Sequence, residues 1–476
     1  MGIIAHLEQW LAPKFAKAAK DEFAIEPVMS DQLARWIEEC GEIYRGNPCW
    51  LNEEDHVDTV NFAKTICSEV ARLTTLAVKV TLTGSERAEW LQSVVDRKYF
   101  NLRHWVEYGC AFGTIILKPN GKTVDVYIPG QFDVTEVQGG EIRGAVFYNT
   151  YTEQTEAGEK YYTRLEYHRF KDGQYLISNR CFVGNSKAQL SRPVHISLTR
   201  WADLTEDVAI ENVDKPLFGV FRTPQANNID INSPMGLPIF SEAVQELRDL
   251  DVAYSRNVKE IHDSKRIVFV DDSLIPGRPV GNTIVTPYTL EMRRMQMNLP
   301  DMVRNVQGAV GETYYQEINP QLNTETREKG INGLLNQIGF KAGFSNGHFV
   351  FNQARGIMTA TEVEADQQRT IQLIKDCRDK LEDCVEGLLY ALDVFADLYN
   401  LAPKGKYSLD DAIHFSDITY SFEEDKAHHY SLALQGHYPW EEYYVKYLKV
   451  SREEAQQLLA MAKNENKLPA LFSYGE

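Results

Sequence analysis

Between Thr359 and Asn400 the chain repeats one pattern longer than any other segment does. Ile371, Ile374, Leu381, Val385, Leu388, Leu392, Phe395 and Tyr399, with Arg378 in register, recur at near-heptad spacing. Thr359-Ala360-Thr361-Glu362 forms a capping box in front of them, in which a hydroxyl and a carboxylate each satisfy an orphan backbone N–H. About forty residues of helix span about 60 Å, beyond the ordinary globular range. Such a helix serves as a strut or an assembly interface, and the remaining elements must be arranged around it.

Two further helical patterns flank an insert. Phe240, Ala243, Val244, Leu247, Leu250, Tyr254, Val258 and Ile261 recur every three or four residues, which predicts a helix over Pro238–Lys265 with the proline in its first turn. A strand, Arg266–Val270, follows. Ile331, Leu334, Leu335 and Ile338 predict a second, shorter helix starting near Asn323. The insert between them, 266–322, has five arginines, no lysine and six acidic residues, with Met292, Met295, Met297 and Met302. A methionine cluster is either a plastic local core or an adaptable partner surface. The lead-in, PLFGVFRTPQANNIDINSPMGLPIF at Pro216–Phe240, carries prolines, Asn/Asp residues and a Ser-Pro step, and is expected to be stiff and turn-rich.

The first 110 residues or so read as helical, and the region to about 225 as β-rich. Phe112–Lys118 and Thr123–Ile128 flank a Pro-Asn-Gly turn, and Tyr161–Phe170 and Gln174–Phe182 flank Lys171-Asp172-Gly173. Gly144–Tyr151 is a further strand. Ser408–Ser421 looks strand-like, and Asp425–Lys463 helical, with a capping pattern at Ser451-Arg452-Glu453-Glu454. The fold class is therefore α+β, mainly helical.

The net charge of −18 disfavours tight nucleic-acid binding, although a conduit gains from making few phosphate contacts. No apolar run is long enough for a membrane span. The N-terminus lacks the basic start and cleavage site of a signal peptide, and His6 stands where a myristoylation signal needs Ser or Thr. Seven cysteines without a Cys-x-x-Cys read as reduced thiols in a cytosolic compartment. No cofactor or metal is expected.

Four motifs imitate catalytic ones. Gly343-Phe344-Ser345-Asn346-Gly347 has the G-x-S-x-G spacing, but a helix precedes it and a strand-like run follows, the reverse of a nucleophile elbow. Gly121-Lys122-Thr123 ends like a phosphate loop, yet Ile116 stands where the first glycine belongs. Asp271-Asp272 at a strand end is a candidate Mg²⁺ pair, set against the simpler reading of a solvated acidic loop. Adjacent His428-His429 point to different helix faces and chelate poorly. A serine hydrolase or metal nuclease remains the rival from the enzyme class.

The order of elements, the lead-in at Pro216–Val270 and the segment GFSNGHFVFNQARGIMTATEVEADQQRT at Gly343–Thr370 resemble the portal proteins of tailed bacteriophages, in the branch found in phages of Gram-positive hosts. The paired hairpins resemble the β-rich part of the portal wing. The resemblance covers residues 110 to 400 or so. It implies a wing region over 1–232, a first stem helix over 233–265, a clip over 266–322 and a second stem helix over 323–340. A tunnel loop over 341–358, a long helix and the rest of the wing over 359–422, and a helical crown over 423–476 complete it.

It also implies a ring of twelve subunits at one capsid vertex, through which double-stranded DNA is packaged and ejected. Terminase large subunit, major capsid and scaffolding proteins and head–tail adaptors would be its partners, the virion its location, and the terminase the ATPase. Ser345, Asn346, His348, Asn352, Gln353 and Arg355 would line the channel. Arg278, Arg293, Arg294, Met295 and Arg304 would form the clip interface. Another head–tail structural protein is the second alternative.

Overall fold

The computed structural model describes residues 12–51, 57–76, 78–97, 100–120, 123–155, 158–186, 192–264, 267–271, 302–306, 315–318, 323–350, 360–408, 412–415, 429–434, 438–448, 452, 455–456 and 458–459. The chain divides into two compact units, 1–415 and 416–476. It is an α+β protein with antiparallel sheets, as expected from the sequence.

Among the described residues, five helices open the first unit: α1 (Ala12–Phe23), α2 (Asp31–Arg45), α3 (Phe62–Thr74), α4 (Glu86–Val95) and α5 (Leu102–Phe112). Their starts follow from local chemistry. Ser30, Ser85 and Asn101 each accept a backbone N–H of the first turn, from Leu33, Ala88 and His104 respectively. Ser85 thus opens α4 within the charged and polar stretch Leu82–Glu89.

Strands β2 (Thr114–Asn120) and β3 (Thr123–Tyr127) pair antiparallel around the Pro-Asn-Gly turn. On its other edge β2 takes β10 (Gly219–Arg222), making a three-stranded sheet in the order β10-β2-β3. The larger sheet contains β4 (Phe132–Gln138), β5 (Glu141–Thr155), β6 (Gly158–Lys171), β7 (Gln174–Gly184) and β8 (Arg192–Val194), with β9 (Asp207–Ile210) also on β7. Asp172 and Gly173 both have positive φ, as the tight β6–β7 hairpin requires. Helix α1 covers one face of this sheet, packing Ala19 and Phe23 on Val146, Tyr148, Leu165 and Tyr167.

The two sheets are joined by buried charge. Lys118 on β2 donates to both carboxylate oxygens of Glu166 on β6, each at 3.0 Å. Glu166 also accepts from Arg164 at 2.7 Å and bonds His168 at 2.9 Å, and His168 continues to the Tyr175 hydroxyl. Burial alone would raise Glu166, but Lys118, Arg164 and His168 overcome it and hold the carboxyl well below its ordinary range. Burial pushes His168 down against the pull of Glu166, which keeps the imidazole neutral.

The long pattern forms one helix, α8 (Ala360–Leu398, 39 residues). Its buried face is broader than a heptad seam: Ile374, Cys377, Leu381, Cys384, Val385, Leu388, Leu389, Leu392 and Ala396 are all fully or nearly fully buried. Thr359, the start of the expected capping box, lies outside the described residues, as does Ser451 of the second. Helix α8 crosses the small sheet at backbone distance. A Cβ on Gly219 would lie 2.1 Å from the Cys384 carbonyl oxygen, and one on Gly387 would lie 3.2 Å from the Gly219 Cα.

At the far end of α8, the fully buried Arg87 of α4 binds the helix terminus. It donates to the Asp393 carbonyl at 2.8 Å, the Asp393 and Asp397 carboxylates, and the carbonyls of Ala402 at 2.8 Å and Pro403 at 3.0 Å. Nearer the other end, Arg378 of α8 donates to the Thr74 carbonyl that ends α3. In Ser408–Ser421 the described strand is β14 (Ile413–His414), paired with β1 (Lys79–Val80).

The second unit contains a helical piece at 429–434 and α9 (Trp440–Leu448). They are held by Tyr430, Trp440, Tyr443 and Tyr447, with the Tyr447 hydroxyl 2.9 Å from His429 Nδ1.

All seven cysteines are free thiols, and all but Cys49 are buried. Burial pushes the Cys377 thiol up to about 12 and holds Cys40, Cys67, Cys110 and Cys384 well above the ordinary thiol range. A thiol reagent should therefore modify Cys49 rapidly in the native protein and all seven in denaturant. Rapid native modification of Cys377 or Cys110 would contradict this packing.

The backbone crossing gives a second test. Gly219→Ala should lower stability by ~3 kcal/mol or more, since backbone on both sides must shift. Gly330→Ala, in a helix where a Cβ meets nothing within 4 Å, should raise stability by about 0.5–1 kcal/mol. Urea midpoints measure both.

Candidate functional site: a helical hairpin and its packed turn

The lead-in is as stiff as its composition predicts, and the structure shows the cause. Asn227 Oδ1 accepts the N–H groups of Ile229 and Asp230, and its Nδ2 donates to the Met235 carbonyl. Thr223 Oγ1 donates to Leu237 O at 2.6 Å, Gly236 N to Thr114 Oγ1 at 2.8 Å, and Ile239 N to Cys110 O at 2.9 Å. These bonds hold 235–238 out of the helix and keep 235–240 buried against α5 and β2. For that reason Pro238 does not start the helix. A 3₁₀ turn at Ser241–Ala243 precedes α6, which runs Val244–Asp263. The same lead-in also contains β10, which its turn-rich composition concealed.

Helix α7 (Thr324–Lys341) returns antiparallel along α6. Lys341 at its end reaches Glu246 at 2.6 Å and the Glu242 carbonyl at 3.0 Å near the start of α6, with Gln337 on Glu246 at 3.2 Å. Arg327 at its start pairs with Glu260 near the end of α6. Among the described residues the pair meets the body at one end. Leu247, Leu250 and Asp251 of α6 and Leu335, Ile338 and Gly339 of α7 are buried. Asp251 accepts Trp50 Nε1 at 2.9 Å and Val60 N at 2.8 Å, and Ser255 bonds Asp58. Beyond this anchor Tyr254 is 45% and Ile261 55% exposed, and residues 323–326 are all exposed.

The hairpin leads into the insert, whose described part is a small sheet. Strand β11 (Ile267–Asp271) pairs parallel with β12 (Met302–Val306) and antiparallel with β13 (Tyr315–Ile318). Asp271 and Arg304 lie on these strands. Arg278, Arg293, Arg294, Met295 and Asp272 lie outside the described residues.

After α7 the segment expected to be a tunnel loop begins as packed structure. Phe344 is fully buried, its ring 4.7 Å from those of both His348 and Phe349, and Phe349 meets Phe62 of α3. His348 Nε2 faces Glu69 of α3 at 3.3 Å. Hydrogen bonds from Arg72 and His348 bring the Glu69 carboxyl down to about 2.

Ser345, expected to line a channel, is held within the packed turn. It is 7% exposed, its N–H donates to Thr370 Oγ1 at 2.8 Å, and its hydroxyl accepts the Thr370 N–H of α8 at 3.2 Å. This reciprocal pair occupies the hydroxyl of the G-x-S-x-G serine. Asn346 is exposed and His348 half-buried. Asn352, Gln353 and Arg355 lie outside the described residues. Phe344 and Phe349 were missed as packing residues because the surrounding Gly and Asn read as a loop. Two phenylalanines five positions apart were the available signal.

Among the described residues no group of His, Cys, Asp and Glu could hold a metal ion. Nor is any described helix long and apolar enough to cross a membrane.

The sequence matches no protein-family model. It matches no curated protein. Among solved structures, a chain from the virion of a native gene transfer agent particle aligns over 82% of this chain and 93% of its own, with 12% identity and a TM-score of 0.37.

Thr370→Val should cost about 1–3 kcal/mol by leaving the buried Ser345 N–H unpaired, and Ser345→Ala about 0.5–1.5 kcal/mol by removing the second bond. The double variant should cost less than the sum, because the two bonds tie the same two residues and losing one loosens the other. Full additivity in urea denaturation would contradict the reciprocal pair. Glu69 contributes stability that is complete above its unfolded value near 4.5 and lost as pH falls toward 2. Hydrogen exchange at 345–349, taken relative to the intrinsic rate at each pH, should therefore accelerate below about pH 4. In Glu69→Gln it should already be faster at pH 7.

Proposed function

We propose that this chain is the portal subunit of a tailed-phage-like particle, a ring-forming conduit for double-stranded DNA rather than an enzyme. The observation that carries the reading is the α6–α7 hairpin. Two antiparallel helices are fixed in the body at one end, open into a small sheet-bearing insert at the other, and are followed by a packed turn and a 39-residue helix. With the sequence resemblance at Pro216–Val270 and Gly343–Thr370, this order of parts supports stem, clip, tunnel-loop and wing-helix roles in turn. The insert would meet the terminase large subunit during packaging and head–tail adaptors afterwards. Capsid and scaffolding proteins would surround the body, and the virion vertex would be its location.

A conduit must touch DNA without holding it. Residues 342–361 carry one formal charge, Arg355, in a chain otherwise rich in charge. Few cations around a channel mean few counterions released per contact and little friction.

Purified protein should scatter light as a particle of about 650 kDa, from 54.4 kDa per chain and the twelvefold ring the resemblance implies. A monomer at every concentration and salt would contradict the proposal. Asn346→Lys places a new cation at an exposed position of the turn in every subunit. In assembled rings it should raise DNA affinity, steepen its salt dependence and slow packaging in vitro. Unchanged packaging and salt response would remove Asn346 from the channel.

A further inference from the structure

A cleft of about 390 Å³ opens beside the buried ionic cluster that joins the two sheets. Asn120, Asp125, Tyr127, Asn149, Arg164, Arg200 and Trp201 contribute to its walls, from β2, β3, β5, β6 and the turn after β8. No part of the proposed conduit uses it.

Its charge is unbalanced. Lys118 and Arg164 share the single carboxylate of Glu166, and His168 is neutral, so the cluster behind the cleft carries a formal charge of +1. Arg200 at the cleft adds a second positive charge, and Asp125, held by Asn120 at 2.8 Å, supplies one negative charge. The net is one uncompensated cation next to a low-dielectric interior, where a missing counter-charge is costly.

The donors are also incomplete. Arg164 is 5% exposed and donates through Nη2 to Glu166, while its Nε is buried with no partner among the described residues. Asn149 accepts from the Tyr127 hydroxyl at 2.9 Å, and its buried Nδ2 likewise has no partner among them. The Arg164 guanidinium lies 5.3 Å from the Trp201 ring, and Arg200 stacks on Tyr151 at 4.6 Å and Trp201 at 5.0 Å. Both guanidinium groups thus lie over aromatic rings within cation–π distance, leaving N–H groups to recognise an oxyanion.

We propose that this cleft binds a carboxylate or similar small oxyanion, with Arg200 as its main electrostatic partner and Arg164 and Asn149 as its inner donors. The anion completes the charge balance of the joint between the two sheets. Its source is either a free solute or an acidic side chain of a second copy of this chain, which is itself strongly acidic.

The test is a titration of purified full-length protein with sodium acetate, and separately with sodium phosphate, against sodium chloride at matched ionic strength. Unfolding temperature, tryptophan fluorescence and sedimentation are followed. The wild type should show a saturable rise in unfolding temperature and a fluorescence change reflecting Trp201. Arg200→Gln, at an exposed position that leaves the cluster intact, should weaken the half-saturating concentration at least tenfold. Arg103→Gln, which removes an exposed arginine on α5, should respond as the wild type does. A response without change in sedimentation assigns the site to a free solute. A response that dissociates an assembly assigns it to a neighbouring copy's side chain. No saturable response to either anion, or an equal response in Arg200→Gln, would overturn the proposal.

Discussion

At Gly219 and Gly387 the long helix lies on a strand of the small sheet with no side chain between them. That contact fixes the separation and the register of α8 against β10, and much else depends on it. Strand β10 is hydrogen-bonded to β2, β2 carries Lys118, and Lys118 ties the small sheet to the large one through Glu166. Dispersion and burial along α8 supply the bulk of the stabilisation, but they are non-directional. The glycine crossing makes the placement unique, because any larger residue would meet backbone, which cannot rotate away.

The two arginine clamps then fix α8 along its length. Arg87 satisfies carbonyls beyond the helix end that would otherwise be orphaned, and two acidic side chains of the last turns share its charge. Arg378 does the same for the end of α3. A helix held in this way can serve as a mount. The turn at Phe344–Phe349 is bonded to α8 through Ser345–Thr370 and to α3 through His348–Glu69. Through that turn and the Lys341–Glu246 pair, the α6–α7 hairpin is rooted in the same rigid body.

The sequence made some of this legible. The apolar repeat of α8 needs only local periodicity, and Lys171-Asp172-Gly173 names its own turn. Other features rest on distant partners and have no local signature. Glu166 and Lys118 are 48 positions apart, and each reads as an ordinary solvated charge within an alternating strand. Arg87 meets α8 residues 306 and 310 positions away, and its own helix gives no hint of burial. The start of α6 was misplaced because Pro238 is a favourable first-turn residue by local rules, whereas bonds to Thr223 and Cys110 kept its neighbours out of the helix. Of the residues expected to line a channel, Ser345 proved buried, since Phe344 and His348 beside it are packing groups.

In the proposed ring the α6–α7 hairpin would line the axis, with the α8-braced body outside it. Single-particle imaging of the purified assembly, with a bulky label attached at exposed Arg256 of α6 through Arg256→Cys in a Cys49→Ser background, tests this arrangement. The expected result is a closed ring whose label density lies next to the central hole. Label density on the outer rim, or particles without a hole, would contradict it.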